Sequence, residues 1–261
     1  MKACVIGCAG RMGSEIVKAI LEYPEDFSIN SGIVSYKSEH IGRDIGEVIG
    51  MSKLGFAATD KIPANCDMVI DFSTPQAALS HAEFCAEHNM SYITGVTGLS
   101  EQQLLRLEEL AMRIPLFYSP NMSFAINLMA ALVEKVSSYL GTEYDIEILE
   151  MHHNQKQDAP SGTALLLGKA AADGRRLKLK NHIALDRNQK RKPNDIGFAS
   201  LRGGDVIGEH KVIFAGTGER LELTHIDTKR SVFAHGALKA AKWLSQQKPG
   251  KLYSMKDMLS I

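Results

Sequence analysis

Along the chain, short apolar runs alternate with longer segments whose apolar residues stand three and four apart. Lys2-Ala3-Cys4-Val5-Ile6 is an apolar run closed by glycine, the pattern of a buried parallel strand, and Met12 to Leu21 follows it as a helix. Phe27 to Val34 reads as a second strand, and a short one is expected near Gly55 to Ala58. Met68 to Asp71 is a further buried strand, followed by a helix from Gln76 to His88. Tyr92 to Thr94 and Pro115 to Tyr118 continue the alternation, with Ser100 and Gln103 forming a capping-box pattern for the helix between them. Strands alternating with helices in this way predict an α/β fold, a Rossmann-like doubly wound parallel sheet.

From Ser123 a helix presents Ile126, Met129, Ala130 and Val133 on one face, and after it the grammar changes. Tyr144 to Glu150 partly alternates, as a strand does in a sheet with one open face. Ile196 to Arg202, Val206 to Phe214 and Arg220 to Ile226 are joined by glycine-rich turns, which predicts a smaller α+β domain with an open mixed sheet. Ser231 to Gln246 reads as a final helix returning to the first domain. The expected division is therefore a discontinuous dinucleotide-binding domain, 1–122 with 229–261, and a substrate-binding and oligomerisation domain, 123–228. A bare sheet face predicts pairing with another subunit, and so a homo-oligomer.

Composition narrows the partners. A chain of 261 residues, 44% hydrophobic, is long enough for two domains. Its 30 basic and 30 acidic residues cancel, so no global field draws nucleic acid or an anionic membrane, and a small molecule is the expected partner. No apolar run is long enough to span a bilayer, and the chain enters its first strand without signal-peptide architecture, which leads to the expectation of a cytoplasmic protein. Cys4, Cys8, Cys66 and Cys85 have no CxxC or His-paired spacing; reduced packing residues are expected, with no metal. Arg175 to Lys192 is basic and irregular and is expected to be a mobile solvated loop.

Two stretches carry chemistry. Gly7-Cys8-Ala9-Gly10-Arg11-Met12-Gly13 sits between a strand and a helix, where glycines permit a tight turn and close approach of a dinucleotide pyrophosphate. A second glycine loop, Gly95-Val96-Thr97-Gly98, lies at another strand's carboxyl end, and Ser119-Pro120-Asn121-Met122 at a third; Asn121 can meet a nicotinamide carboxamide or a loop backbone. Past the second strand stand Ser35, Tyr36 and Lys37 with no carboxylate to accept from ribose hydroxyls. That leans to NADPH, or to tolerance of NADH as well, while Lys37 also reads as an ordinary solvated lysine.

The other stretch, Glu150 to Ala164, holds His152, His153, Lys156 and Asp158 ahead of Pro160-Ser161-Gly162-Thr163, which opens an apolar helical run. Backbone amides at a helix start have no partner inside the helix, and with the macrodipole behind them they suit a substrate carboxylate at Gly162 and Thr163, while the imidazoles and lysine bring donors and transferable protons. Adjacent histidines seldom ligate one ion, and no HExxH-type spacing appears.

These two blocks, with Asp71-Phe72-Ser73, Gly95 to Gly98, Gly204 to His210 and Trp243-Leu244, make the chain resemble the 4-hydroxy-tetrahydrodipicolinate reductases, long called dihydrodipicolinate reductases, over nearly its whole length. The resemblance implies NAD(P)H-dependent reduction of 4-hydroxy-tetrahydrodipicolinate in the diaminopimelate route to lysine, by a cytoplasmic homotetramer assembled through the second sheet. It implies His152 as proton donor and acceptor, Lys156 as proton donor, and His153, Gly162 and Thr163 as substrate-binding residues. It implies cofactor contacts from Gly7, Cys8, Ala9, Gly10, Arg11, Met12, Gly95, Val96, Thr97, Ser119, Pro120, Asn121 and Met122. Family members that use NADH well carry an acidic residue where Ser35 stands, and many have Phe in place of Met122.

Overall fold

The computed structural model describes residues 1–186 and 188–260. It divides into two units, residues 1–122 with 230–260 and residues 123–229. In chain order the first unit holds strands β1 (Lys2–Ile6), β2 (Ser28–Ile33), β3 (Ala58–Thr59), β4 (Met68–Asp71), β5 (Ser91–Thr94) and β6 (Leu116–Tyr118). Its helices over that span are α1 (Arg11–Glu22), α2 (Ile45–Val48), α3 (Pro75–Glu87) and α4 (Glu101–Ala111). The second unit holds α5 (Phe124–Leu140), β7 (Asp145–His152), α6 (Gly162–Gly174), β8 (Ile183–Ala184), β9 (Ile196–Arg202), β10 (Gly208–Ala215) and β11 (Arg220–Asp227). The chain then re-enters the first unit as α7 (Ser231–Leu244), β12 (Leu252–Tyr253) and α8 (Met255–Leu259).

The first sheet has seven strands in the order β12-β6-β5-β4-β1-β2-β3, every pair parallel. Alternation along each strand feeds two cores. Ala3, Val5, Met68, Ile70, Ile93 and Phe117 face α1, α7 and α8, whereas Cys4, Ile6, Val69, Tyr92 and Leu116 face α3 and α4. Each large side chain buried this way contributes about 1.5–3 kcal/mol, which is why both faces of the strands read as apolar. Thr74 caps α3 ahead of Pro75, and Ser100 with Gln103 forms the expected capping box on α4. The short strand expected near Gly55 to Ala58 is the two-residue β3 at Ala58–Thr59, because Gly55, at φ +81°, belongs to a turn folded onto the Asp44 carboxylate.

The second sheet runs β11-β10-β7-β9-β8; β10 is antiparallel to both neighbours, and β7, β9 and β8 are parallel. Helices α5 and α6 cover one face, packing Ile126, Val133, Leu167 and Ala171 onto Ile146, Ile148, Phe198 and Phe214. Gly174 lets the two helices meet, since a Cβ there would stand 2.2 Å from the Glu134 carbonyl oxygen. The basic stretch Arg175 to Lys192 is more ordered than its composition suggests. It contains a 3₁₀ turn at Leu179–Asn181 and β8, which pairs with β9, and Arg191 donates to the Ile146 carbonyl and bridges to Asp145. Arg187, within that stretch, lies outside the described residues.

Candidate active site

In the second unit, cross-strand register builds a polar patch on the helix-covered face. Glu150 and His152, two residues apart near the end of β7, point the same way, and β10 sets His210 opposite Glu150. Glu150 is 1% exposed. Its carboxylate takes both arms of the Arg202 guanidinium, at 2.9 and 2.8 Å, and the Ser161 amide at 3.2 Å. Burial pushes this carboxyl up, but Arg202, Ser200 and His152 together outweigh burial and hold it down at about 2. An ionised carboxylate only accepts, so the 2.5 Å contact with His152 Nδ1 makes that nitrogen the donor and leaves Nε2 as the imidazole's exchanging site.

His152 is held below its ordinary value, first by burial and then by the nearby Lys156 and Arg202 charges, against the upward pull of Glu150. The His210 ring stands edge-on to it at 5.1 Å and 74°. Burial, and then the neighbouring His152, push His210 down to about 3, so it is neutral at physiological pH. Arg202 also donates to the carbonyls of Lys156, at 3.3 Å, and Asp158, at 2.7 Å, tying the 153–160 turn to the sheet.

That turn ends at α6. Ser161 caps the helix by accepting from the Ala164 amide, and a side chain added at Gly162 would meet nothing within 4 Å, so the helix start opens to a ligand. Lys156 Nζ, beside it, bonds Asp158 Oδ1 at 2.8 Å. The Asp158 carboxyl is lowered, against burial, by Lys156 and by the Asp158 and Gly162 amides. A carboxylate is thus already the natural occupant of this corner. His153 stands on the neighbouring turn, its Nδ1 accepting from the Gln155 amide at 3.2 Å. Sequence reasoning singled out His152, His153, Lys156, Gly162 and Thr163 and gave no role to Glu150, Arg202, Ser161 or His210. Glu150 alone had a local signal, its spacing of two from His152 on a strand.

In the first unit, the loops after β1, β5 and β6 leave the carboxyl edge of the parallel sheet on nearby strands, and carry Gly7 to Met12, Gly95 to Thr97 and Ser119 to Met122. Gly7 takes φ +77°, and a Cβ on Gly13 would stand 2.0 Å from the Gly7 carbonyl oxygen, so α1 presses its first turn onto the loop. Gly10 caps α1 without a side-chain hydrogen bond, and no acidic residue stands in the first turn. This cradle fits a pyrophosphate on backbone amides. Within it the Cys8 and Met122 side chains are buried in the core, at 0% and 2% exposure, so ligand contact there falls to their backbones. Burial also pushes the Cys8 thiol up to about 11, which marks a packing residue. Asp71, ending β4 at 0% exposure, accepts at 2.7 Å from the Ser73 amide and from Tyr92 Oη, and contacts His81 Nδ1 at the same distance.

No helix among the described residues is long and apolar enough to cross a membrane. Sequence models of the dihydrodipicolinate reductase N-terminus and C-terminus match residues 1–122 and 125–259. The 4-hydroxy-tetrahydrodipicolinate reductase of Bartonella bacilliformis is 46% identical over 100% of this chain and 99% of its own length. That of Methylocella silvestris is 47% identical over 100% and 97%. The solved dipicolinate-bound dihydrodipicolinate reductase of Paenisporosarcina sp. TG-14 has the same fold, with a TM-score of 0.75 at 23% identity over 99% of each chain. With both halves matched and relatives this similar along the full length, the chain belongs to the dihydrodipicolinate reductase family.

Proposed function

We propose that the chain reduces 4-hydroxy-tetrahydrodipicolinate with a nicotinamide cofactor, in the diaminopimelate route to lysine. The observation that carries this reading is the Arg202–Glu150–His152 relay set beside the open start of α6 and Lys156. The bound cofactor supplies a hydride. Once the 4-hydroxyl has left as water, hydride addition to the conjugated ring moves charge toward the ring nitrogen and a carboxylate, where the Lys156 ammonium and the Gly162 and Thr163 amides stabilise it. Glu150 keeps Nδ1 of His152 protonated, so Nε2 is the atom that gives a proton to the product and recovers it from water. Arg202 holds Glu150 ionised, and burial lowers His152, so its imidazolium releases the Nε2 proton readily.

Gly7 to Met12, Gly95 to Thr97 and Ser119 to Met122 hold the cofactor in this reading. NADPH is favoured: Tyr36 is 72% exposed with Lys37 Nζ 5.3 Å from its ring centre, a cationic platform suited to a 2′-phosphate. The enzyme is a homo-oligomer, a tetramer, joined through the second sheet's open face. One row of that face carries Leu201 and Ile226, 49% and 55% exposed, beside Met151. Four free, buried cysteines accord with a reducing, cytoplasmic setting. The purified chain, given NADPH and the product of dihydrodipicolinate synthase, should oxidise the cofactor, faster than with NADH, and His152→Ala should abolish turnover. Failure of the wild type to oxidise either cofactor would reject the assignment.

A further inference from the structure

His210, His225 and Asp227 are brought together by the β10–β11 register, which pairs His210 with His225 and Gly208 with Asp227. One ligand-capable atom from each lies within 4.8 Å of the others. Nδ1 of both imidazoles is buried and has no hydrogen-bond partner, and His210 as a whole is 2% exposed. Leaving such an atom unsatisfied costs about 1–3 kcal/mol, so two of them in one cluster point to a missing partner.

The rest of the geometry says what kind of partner. His210 Nε2 meets Ser161 Oγ at 3.2 Å. With the proton on Nε2, that contact fixes the ring and leaves Nδ1 as its bare lone pair, as outer hydrogen bonds do for metal-ligating histidines. Asp227 is 7% exposed, and its ionic neighbour, His225 Nε2, stands at 3.8 Å, beyond hydrogen-bonding reach. Gly208 puts no side chain on the fourth side. A Cβ there would stand 3.3 Å from Asp227 Oδ2, 3.4 Å from His210 Cε1 and 3.2 Å from His152 Nε2.

We propose that His210, His225 and Asp227 form a binding site for one divalent transition-metal ion of the Zn²⁺, Co²⁺ or Ni²⁺ class, beside Gly208 and His152. Two imidazoles and a carboxylate select this class, since Mg²⁺ and Ca²⁺ take oxygen ligands. Bonds of about 2.0–2.2 Å require the three side chains to draw inward by small rotations. The site does not depend on the reductase reading.

The test is titration of the full-length, chelator-treated protein with Co²⁺, followed by visible absorption, and with Zn²⁺ by calorimetry. One equivalent per chain should bind with the intense spectrum of a low-coordinate ion. Asp227→Asn and His225→Ala should each weaken binding by more than about 100-fold, with unchanged circular dichroism. Should either variant misfold, X-ray absorption of the wild-type Zn²⁺ complex should show two imidazoles and oxygen ligation. Absence of a stoichiometric site, full affinity in the folded variants, or an absorption spectrum without two imidazoles would each overturn the proposal.

Discussion

Replacing Glu150 by Gln keeps the shape of the buried side chain and removes its charge. In the folded protein the carboxyl is lowered from an ordinary 4.5 to about 2. At 1.36 kcal/mol per pH unit, that difference is about 3 kcal/mol of stability. Because the folded-state value lies below the unfolded one, the contribution is complete above about pH 4.5 and is lost as pH falls through about 2. At neutral pH the variant should therefore melt roughly 6–12 °C lower, and its stability should depend less on acid. Catalysis should suffer separately. Without the carboxylate's upward pull, burial and the Lys156 and Arg202 charges drive His152 further down, and its tautomer is no longer fixed. The expected result is kcat lower by roughly 10²–10⁴-fold, a KM within a few-fold, and an alkaline limb of the pH–rate profile shifted to lower pH, since His152 must be protonated to donate. Steady-state assays across pH, beside thermal melts, separate the two effects. A variant that melts lower yet keeps its kcat and its profile would make Glu150 structural only. One that changes in neither respect would refute the relay.

Three further outcomes follow from the geometry. Gly13→Ala places a Cβ 2.0 Å from the Gly7 carbonyl oxygen and 2.8 Å from Cys8 Cα, both backbone atoms; it should cost about 1–3 kcal/mol and raise the cofactor KM, whereas an unchanged KM would place the pyrophosphate elsewhere. Asp71→Asn weakens a buried acceptor of Ser73 and Tyr92 that also holds His81, and denaturant titration followed by Trp243 fluorescence should show a loss of about 2–3 kcal/mol. Asp158→Asn releases Lys156 from its 2.8 Å ion pair. Calorimetry should then find dipicolinate bound up to about 5-fold more tightly, the limit for a largely exposed pair, and weaker binding would mean that Asp158 builds the site.

The sequence exposed those elements whose signal is local. Met68 to Asp71 and Ile196 to Arg202 coincide with β4 and β9, and the Ser100–Gln103 box and the Ser123 start of α5 stand where expected, because burial alternation and capping are short-range. Two-residue strands escape such reasoning. β8 and β12 exist only because β9 and β6 offer them an edge, so the basic stretch read as loop and the carboxyl terminus carried no signal. The candidate site divides along the same line. His152, Lys156 and Gly162 are neighbours in the chain and were visible together. Arg202, His210 and Asp227 arrive through sheet register, from 50 or more positions away, and only pairing reveals them.

The most direct test is a crystal structure of the chain with bound dipicolinate. One ring carboxylate should sit within hydrogen-bonding distance of the Gly162 and Thr163 amides, with Lys156 Nζ turned from Asp158 to the ligand. His152 Nε2 should face the ring while Nδ1 stays on Glu150. Dipicolinate seated away from the start of α6, or seated there with Lys156 still on Asp158 and His152 turned aside, would contradict the assignment of these residues.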